Sequence, residues 1–310
     1  MSREQIVANL YRSINLAPHT LGDDTARLTI HQNQVVGAHL VPGLVVEPTE
    51  RADGVTVLIR VQRGMRIEKP VHLCFGVLPD RGRQHIILDV TMEENAGASI
   101  FAHCTFPNAV EVRHEMDARI VVGQGANYSY MERHVHGPQG GVLVLPRAKV
   151  TVLDDARFKT DFVLISGRVG KLEIDYAVEI QARAVMELTA RVSGRGNDEI
   201  KINESGRLVG ESARGVLTSY IAVREDARAH VHNTLTATAP YARGHVDCKE
   251  IVQDRAVATA VPVVEVLNPK AHVTHEAAIG SVDSKQLQTL MSRGLTEEKA
   301  VDLIIQGLLT

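Results

Sequence analysis

An alanine returns about every 29 residues along more than half of this chain. Each follows a turn-like group and precedes an alternating polar and apolar run. The set is Ala98 in NAGASIFA, Ala126 in GQGANYSY, Ala156 in LDDARFKT, Ala184 in IQARAVME, Ala213 in GESARGVL, Ala242 in APYARGHV and Ala271 in NPKAHVTH. No step strays from the common value by more than a single position. Ala227 and Ala256 form a second set about half a step out of phase. A near-constant step of this size marks stacked repeats that bury their apolar faces against one another. A small residue at each inward corner lets neighbouring coils approach closely. The expected fold is therefore mainly β: a right-handed parallel β-helix or solenoid. An alanine-rich β-sandwich is the competing architecture.

Local grammar agrees. Val55–Val61, His85–Val90, Ile120–Val122, Val142–Leu145 and Val261–Leu267 are short and apolar, rich in β-branched residues, and bounded by Gly, Pro, Asn or Asp. That is how strands and turns read. The two ends read as helix. Ser2 and Gln5 have capping-box spacing, Ile6, Leu10 and Ile14 form a stripe, and Pro18 stops a helix over about 3–14. Near the C-terminus, Asp283 or Ser284 caps a helix from Lys285 to about Ser292, with Leu287, Leu290 and Met291 on its apolar side. Gly294 fits the position after it. Thr296 caps a second helix, with Glu297 and Glu298 in its first turn and Ala300, Val301, Ile304, Ile305 and Leu308 on its apolar face. The expected organisation is a helical segment over 1–24, a β-helix core over 25–280 and a helical segment over 281–310. The terminal helices must pack on the core or on a partner.

Composition excludes several classes. The net charge of −3 gives no basic face for nucleic acid. No apolar run is long enough to span a membrane, and the first residues lack a secretory core, so a cytoplasmic, membrane-free protein is expected. With no Trp and 4% aromatic residues, stacking on sugars is disfavoured. Three cysteines, with no CxxC, make neither a disulfide framework nor a four-Cys zinc site. P-loop, GxGxxG, GxSxG and HExxH motifs are absent.

A few residues carry chemistry. Cys74 and Cys104 sit in apolar or aromatic runs and read as small buried hydrophobes. Cys248 has polar neighbours, Asp247 and Lys249. Adjacent strand residues face opposite ways, so Lys249 is not placed to activate the thiol. His275 and Glu276 are adjacent and also face apart, which hints at a site shared across an interface. His134/His136 and His230/His232 each share a strand face and have metal-binding spacing. Solvated surface pairs are the plainer expectation for both.

The C-terminal stretch, 246–310, resembles the corresponding part of the SufB/SufD family. The resemblance rests on Cys248, on PVVEVLNP at 262–269, on VTHEAA at 273–278 and on SRGLTEEKAV at 292–301 with Ile304 and Gly307. It implies a β-helix core flanked by helices. It implies an ABC-type ATPase partner, SufC, docked on the C-terminal helices, for which Leu287, Leu290, Arg293, Leu295, Glu297, Glu298, Val301 and Ile304 are the candidates. It implies association of two subunits through their C-terminal β regions. Cys248 and Glu276 match the SufB residues implicated in nascent cluster assembly, and His275 matches a SufD histidine. One chain carrying both sets implies a homodimer.

The resulting expectation is a non-enzymatic scaffold. It holds a transient iron–sulfur cluster on Cys248, His275 and Glu276, meets ATP only through its partner, and works with a sulfur donor and apo iron–sulfur proteins. A cupin-like metalloenzyme on a β-barrel, using His134 and His136, is the alternative reading. A purely structural ATPase adaptor is another.

Overall fold

A computed structural model describes residues 1–16 and 21–310; the expected helix stop at Pro18 lies outside them. The strands form two sheets, and each coil contributes one strand to each. The first sheet has ten strands among the described residues and the second has nine. Sequence neighbours alternate between sheets, so a strand pairs with the strand two positions on. Arg157–Ser166 pairs in parallel with Asn127–His136 on one side and with Val185–Gly194 on the other. This is a parallel β-solenoid, as the repeat implies. A sandwich and a cupin-like barrel are both ruled out, because successive coils stack rather than close on themselves.

Period-two alternation fills the interior. Strand Asn127–His136 buries Tyr128, Tyr130, Glu132, His134 and His136 and turns the residues between them outward. The corner alanines seal each coil. Ala126, Ala156, Ala184, Ala213 and Ala242 are at most 1% exposed. The first corner is Ala96 rather than Ala98, because Gly97 pairs with Asn127 and Ala98 with Tyr128. Asn95, Gly125, Asp155, Arg183, Ser212 and Tyr241, each just before its alanine, have φ of 58–65°. This left-handed turn reverses the chain within a short span, and Ala behind it leaves room for the next corner. Backbone bonds then join corner to coil: Asn127 N–H donates to Ala96 O at 2.8 Å and Arg157 N–H to Ala126 O at 2.8 Å.

The two ends of the stack differ. At the N-terminal end, Arg27–His31 and Gln34–His39 form an antiparallel pair, as do Leu44–Arg51 and Gly54–Val61. Helix α1 (Arg3–Ser13), with its Ser2/Gln5 capping box intact, covers the outer face of the first sheet there. Leu10 and Tyr11 pack on Cys74 and Leu78. At the C-terminal end, Val257–Val266 and His272–Gly280 are the outermost strands, each paired on one side only. Helices α2 (Ser284–Ser292) and α3 (Glu297–Leu309) follow, capped by Asp283 and Thr296. Ile305 and Leu309 of α3 join Val282 in packing on Ala222 of the first sheet. Helix α2 buries no residue fully.

Enlarging a sealed corner tests the stacking. Ala184→Leu should lower stability by about 1–3 kcal/mol through overpacking, read as a lower urea midpoint with unchanged far-UV circular dichroism.

Candidate functional site

Strand Arg243–Val252 turns Val246, Cys248 and Glu250 into the solenoid. The second-to-last coil thus ends the core with polar groups instead of Val or Leu. Cys248 stacks on Ser219 of the coil before and beneath Ala277 of the last coil. From the opposite sheet, Asn233 donates through Nδ2 to Ser219 Oγ at 2.8 Å and toward Cys248 Sγ at 3.8 Å. Asn233 in turn stacks on Glu204. Asn233 Oδ1, Glu204 Oε2 and both carboxylate oxygens of Glu250 have no partner. Orphaned buried polar atoms cost free energy, and this group of them makes the Cys248 region a candidate site.

The electrostatics hold Cys248 as a thiol and raise the neighbouring carboxyls while the site is closed. Burial, then the nearby Glu250 and Asp247 carboxylates, pushes the Cys248 thiol up to about 12. Burial lifts Glu204 to about 8, and burial with Asp247 lifts Glu250 to about 7. Lys249 does not activate the thiol, since its ammonium turns outward onto Asp247 Oδ2 at 3.1 Å. Tyr220 donates its hydroxyl to the same oxygen at 3.0 Å.

The other two predicted ligands lie on the last strand, and both are exposed. His275 is in register with Val246, on the row that faces the interior in the coil below. Glu276 is in register with Asp247, on the outer row beside Lys249. The expected division between faces therefore holds, but one chain does not gather the three residues. The only group of three or more His, Cys, Asp or Glu side chains with ligand atoms all within 4.8 Å, among the described residues, is Cys104, His114, Glu132 and His134.

The two histidine pairs also part company. His230 is exposed and His232 half-buried on the outer face of the second sheet, as a solvated pair would be. His134 and His136 are buried inside the solenoid, which corrects the surface reading: they occupy the inward parity of their strand. The sequence carried a usable signal for this cluster, because one repeat step stacks His134 on Cys104. His114, from the opposite sheet, had none.

The C-terminal helices form a groove lined by Asp283, Lys285, Gln286, Thr289, Leu290, Leu303, Ile304, Gly307 and Leu308 above Ile251. Of the expected partner residues, Arg293, Glu297 and Glu298 are exposed, while Leu287, Leu290, Leu295, Val301 and Ile304 are half-buried. Leu287, Val301 and Ile304 also contribute to packing on the core.

Comparison with known proteins decides the family. The SufBD core domain of the SUF system for FeS cluster assembly matches residues 81–308. The chain belongs to the SufBD family. It is 34% identical over 283 residues to an iron–sulfur cluster assembly SufBD family protein of Methanocaldococcus jannaschii, covering 91% of this chain and 90% of the relative. A SufBD family protein of Pyrococcus horikoshii is 33% identical over 305 residues, covering 98% and 93%. The iron–sulfur cluster assembly protein SufB of Bacillus subtilis is 24% identical over 265 residues, covering 80% of this chain and 54% of that protein. Membership of the SufBD family points to iron–sulfur cluster assembly. No helix among the described residues is long and apolar enough to cross a membrane.

Two measurements follow from the SufBD site. Cys74, Cys104 and Cys248 are all buried, so iodoacetamide at pH 8 should leave all three unmodified in the native chain and label all three in urea, as counted by mass spectrometry. The raised Glu204 carboxyl holds its proton in the folded chain where the unfolded chain has lost it. The contribution of Glu204 to stability should therefore fall as pH rises from about 4.5 to about 8, while buried His103, His114 and His134, whose pKa values burial lowers, contribute the opposite sign up to about 6.5. The urea midpoint of Glu204→Gln relative to wild type should rise as pH goes from about 4.5 to about 8, because the variant lacks that loss.

Proposed function

We propose that this chain is a scaffold on which an iron–sulfur cluster is built at the open C-terminal end of the solenoid, between two copies of the chain. The observation that carries the reading is the state of that end. Both outermost strands keep an unpaired edge, and the last coil shows Val261, Val266, Leu267 and Ile279 to solvent at 37–70% exposure. Natural proteins cover such edges, and pairing with a second chain is a direct way to do so. His275 and Glu276 lie on this exposed strand, and Cys248 lies one coil beneath it.

Two copies meeting at this end supply what one lacks. Glu276 of one chain and His275 of the other approach a common point, and Cys248 joins them when the last coil shifts. Thiolate, imidazole and carboxylate all bind iron. A small mixed set holds a cluster less firmly than four thiolates, which suits a cargo that must leave. The closed site stores Cys248 as a thiol, so exposure and loss of its proton are one event. A terminal coil has a single neighbour and is the least costly coil to displace.

The force for that displacement comes, in this reading, from a SufC-like ABC ATPase docked on α2 and α3. Helix α2 is held loosely, and Leu303 and Met291 are 48% and 41% exposed. ATP is used only by the partner. A sulfur donor and apo iron–sulfur proteins complete the cycle in the cytoplasm.

Anaerobic co-expression with the ATPase, followed by iron and acid-labile sulfide assay, tests the proposal. Wild type should retain both. Cys248→Ser and Glu276→Ala should lose both while keeping the β-sheet spectrum. A full cluster spectrum in the two variants would sink the ligand assignment. ATPase capture with no iron or sulfide in wild type would leave a structural adaptor instead.

A further inference from the structure

A second polar island lies deep in the solenoid, far along the stack from the open end. Cys104, Glu132 and His134 project inward from the first sheet and His114 from the second. All four are buried. Phe106 and Phe162 pack around them, with ring centroids 5.0 Å from His114 and 4.8 Å from His134 respectively.

The hydrogen-bond chain here fixes where the protons are. His136 Nδ1 lies 3.2 Å from the carbonyl oxygen of Arg168, which only accepts, so Nδ1 carries hydrogen. In the tautomer with hydrogen on Nδ1 alone, Nε2 of His136 is an acceptor. Its partner at 3.1 Å, His134 Nδ1, therefore donates. That leaves a lone pair on His134 Nε2, aimed at Glu132 Oε1 2.7 Å away. A lone pair and a carboxylate oxygen do not bind each other; a proton or a cation must lie between them. Cys104 Sγ approaches the same oxygen at 3.8 Å. Glu132 Oε2 and both ring nitrogens of His114 have no partner at all.

We infer that Cys104, His114, Glu132 and His134 form a closed site for one divalent transition-metal ion, zinc being the best fit. The donor set is one thiolate, two imidazoles and one carboxylate, which suits a tetrahedral borderline ion. Tetrahedral bonds of about 2.0–2.3 Å set the ligand atoms of this donor set roughly 3.3–3.6 Å apart. The four now lie within 4.8 Å of one another, and side-chain rotations that part His134 Nε2 from Glu132 Oε1, now 2.7 Å apart, and draw the others in complete the set. The charge balances: the ion replaces the Cys104 thiol proton and the Glu132 carboxyl proton, so the loaded site is as neutral as the empty one. A neutral site avoids the cost of an uncompensated buried charge. His136 and the Arg168 carbonyl orient His134, as outer partners of metal-bound histidines do. Four protein ligands leave no open position, so this ion is a resident of the core. It is separate from the cluster carried at the open end.

Cobalt(II) is the probe, added anaerobically to the purified full chain and, in a second arm, present during refolding from urea. One ion per chain is expected in at least one arm, with thiolate-to-cobalt charge-transfer absorption and tetrahedral d–d bands that zinc abolishes. Cys104→Ser should remove the charge-transfer absorption, and His114→Gln should lose stoichiometric binding. His136→Ala should weaken binding roughly 10–100-fold. Cys248→Ser should leave the stoichiometry and the charge-transfer band of this cobalt site unchanged, which separates it from the assembly reading. Absence of stoichiometric cobalt in both arms overturns the inference, as does a charge-transfer band that survives in Cys104→Ser. Should Cys104→Ser fail to fold, His114→Gln and His136→Ala decide on the same criteria.

Discussion

The parallel ladder between coils is the constraint on which everything else rests. Each strand is held by the matching strand of the coil before it and by that of the coil after it. Side chains therefore line up in interior rows that run the length of the stack. One such row reads Ala102, Glu132, Phe162, Ala190, Ser219, Cys248, Ala277, and its neighbour reads Cys104, His134, Leu164, Val192, Ile221, Glu250, Ile279. A residue's chemical surroundings are set by its row and its coil, not by its neighbours in the chain.

These rows place two polar islands in a largely apolar core. Phe162, Leu164, Ala190 and Val192 separate them. Both islands carry orphaned polar atoms, so both cost stability that the surrounding Val, Ile, Leu and Phe side chains must offset. They differ in their position along the stack. The Cys104 island has coils on both sides and is locked. The Cys248 island has a single coil above it, whose strands have no further neighbour. In a one-dimensional stack the end coil is the weakest. The same ladder thus encloses one island between coils and leaves the other under a single terminal coil. The antiparallel pairs and α1 close the other end.

Much of this was legible in the linear chain because the solenoid is nearly one-dimensional. The alanine step, the Ser2/Gln5 box and the Asp283 and Thr296 caps are local patterns with local physical causes. The first repeat was placed slightly late, at Ala98 instead of Ala96, since both are small and the left-handed turn at Asn95 has no sequence mark sharper than Asn itself. The buried state of His134 and His136 was missed for a related reason. A histidine pair reads as polar surface until the alternation Tyr128, Tyr130, Glu132, His134, His136 is assigned to the inside.

The sequence by itself determined the repeat, the strand and helix types, the family words near the C-terminus and the opposite orientation of His275 and Glu276, because each depends on periodicity or on adjacent residues. Only the tertiary structure decided which face of each strand is interior, and that choice seals Cys248 beneath the last coil and brings His114 across to Cys104. Those outcomes depend on contacts between the two sheets. Such contacts join Asn233 to Cys248 about half a repeat apart but Cys104 to His114 at a shorter spacing, so which side chains meet depends on how both strands face.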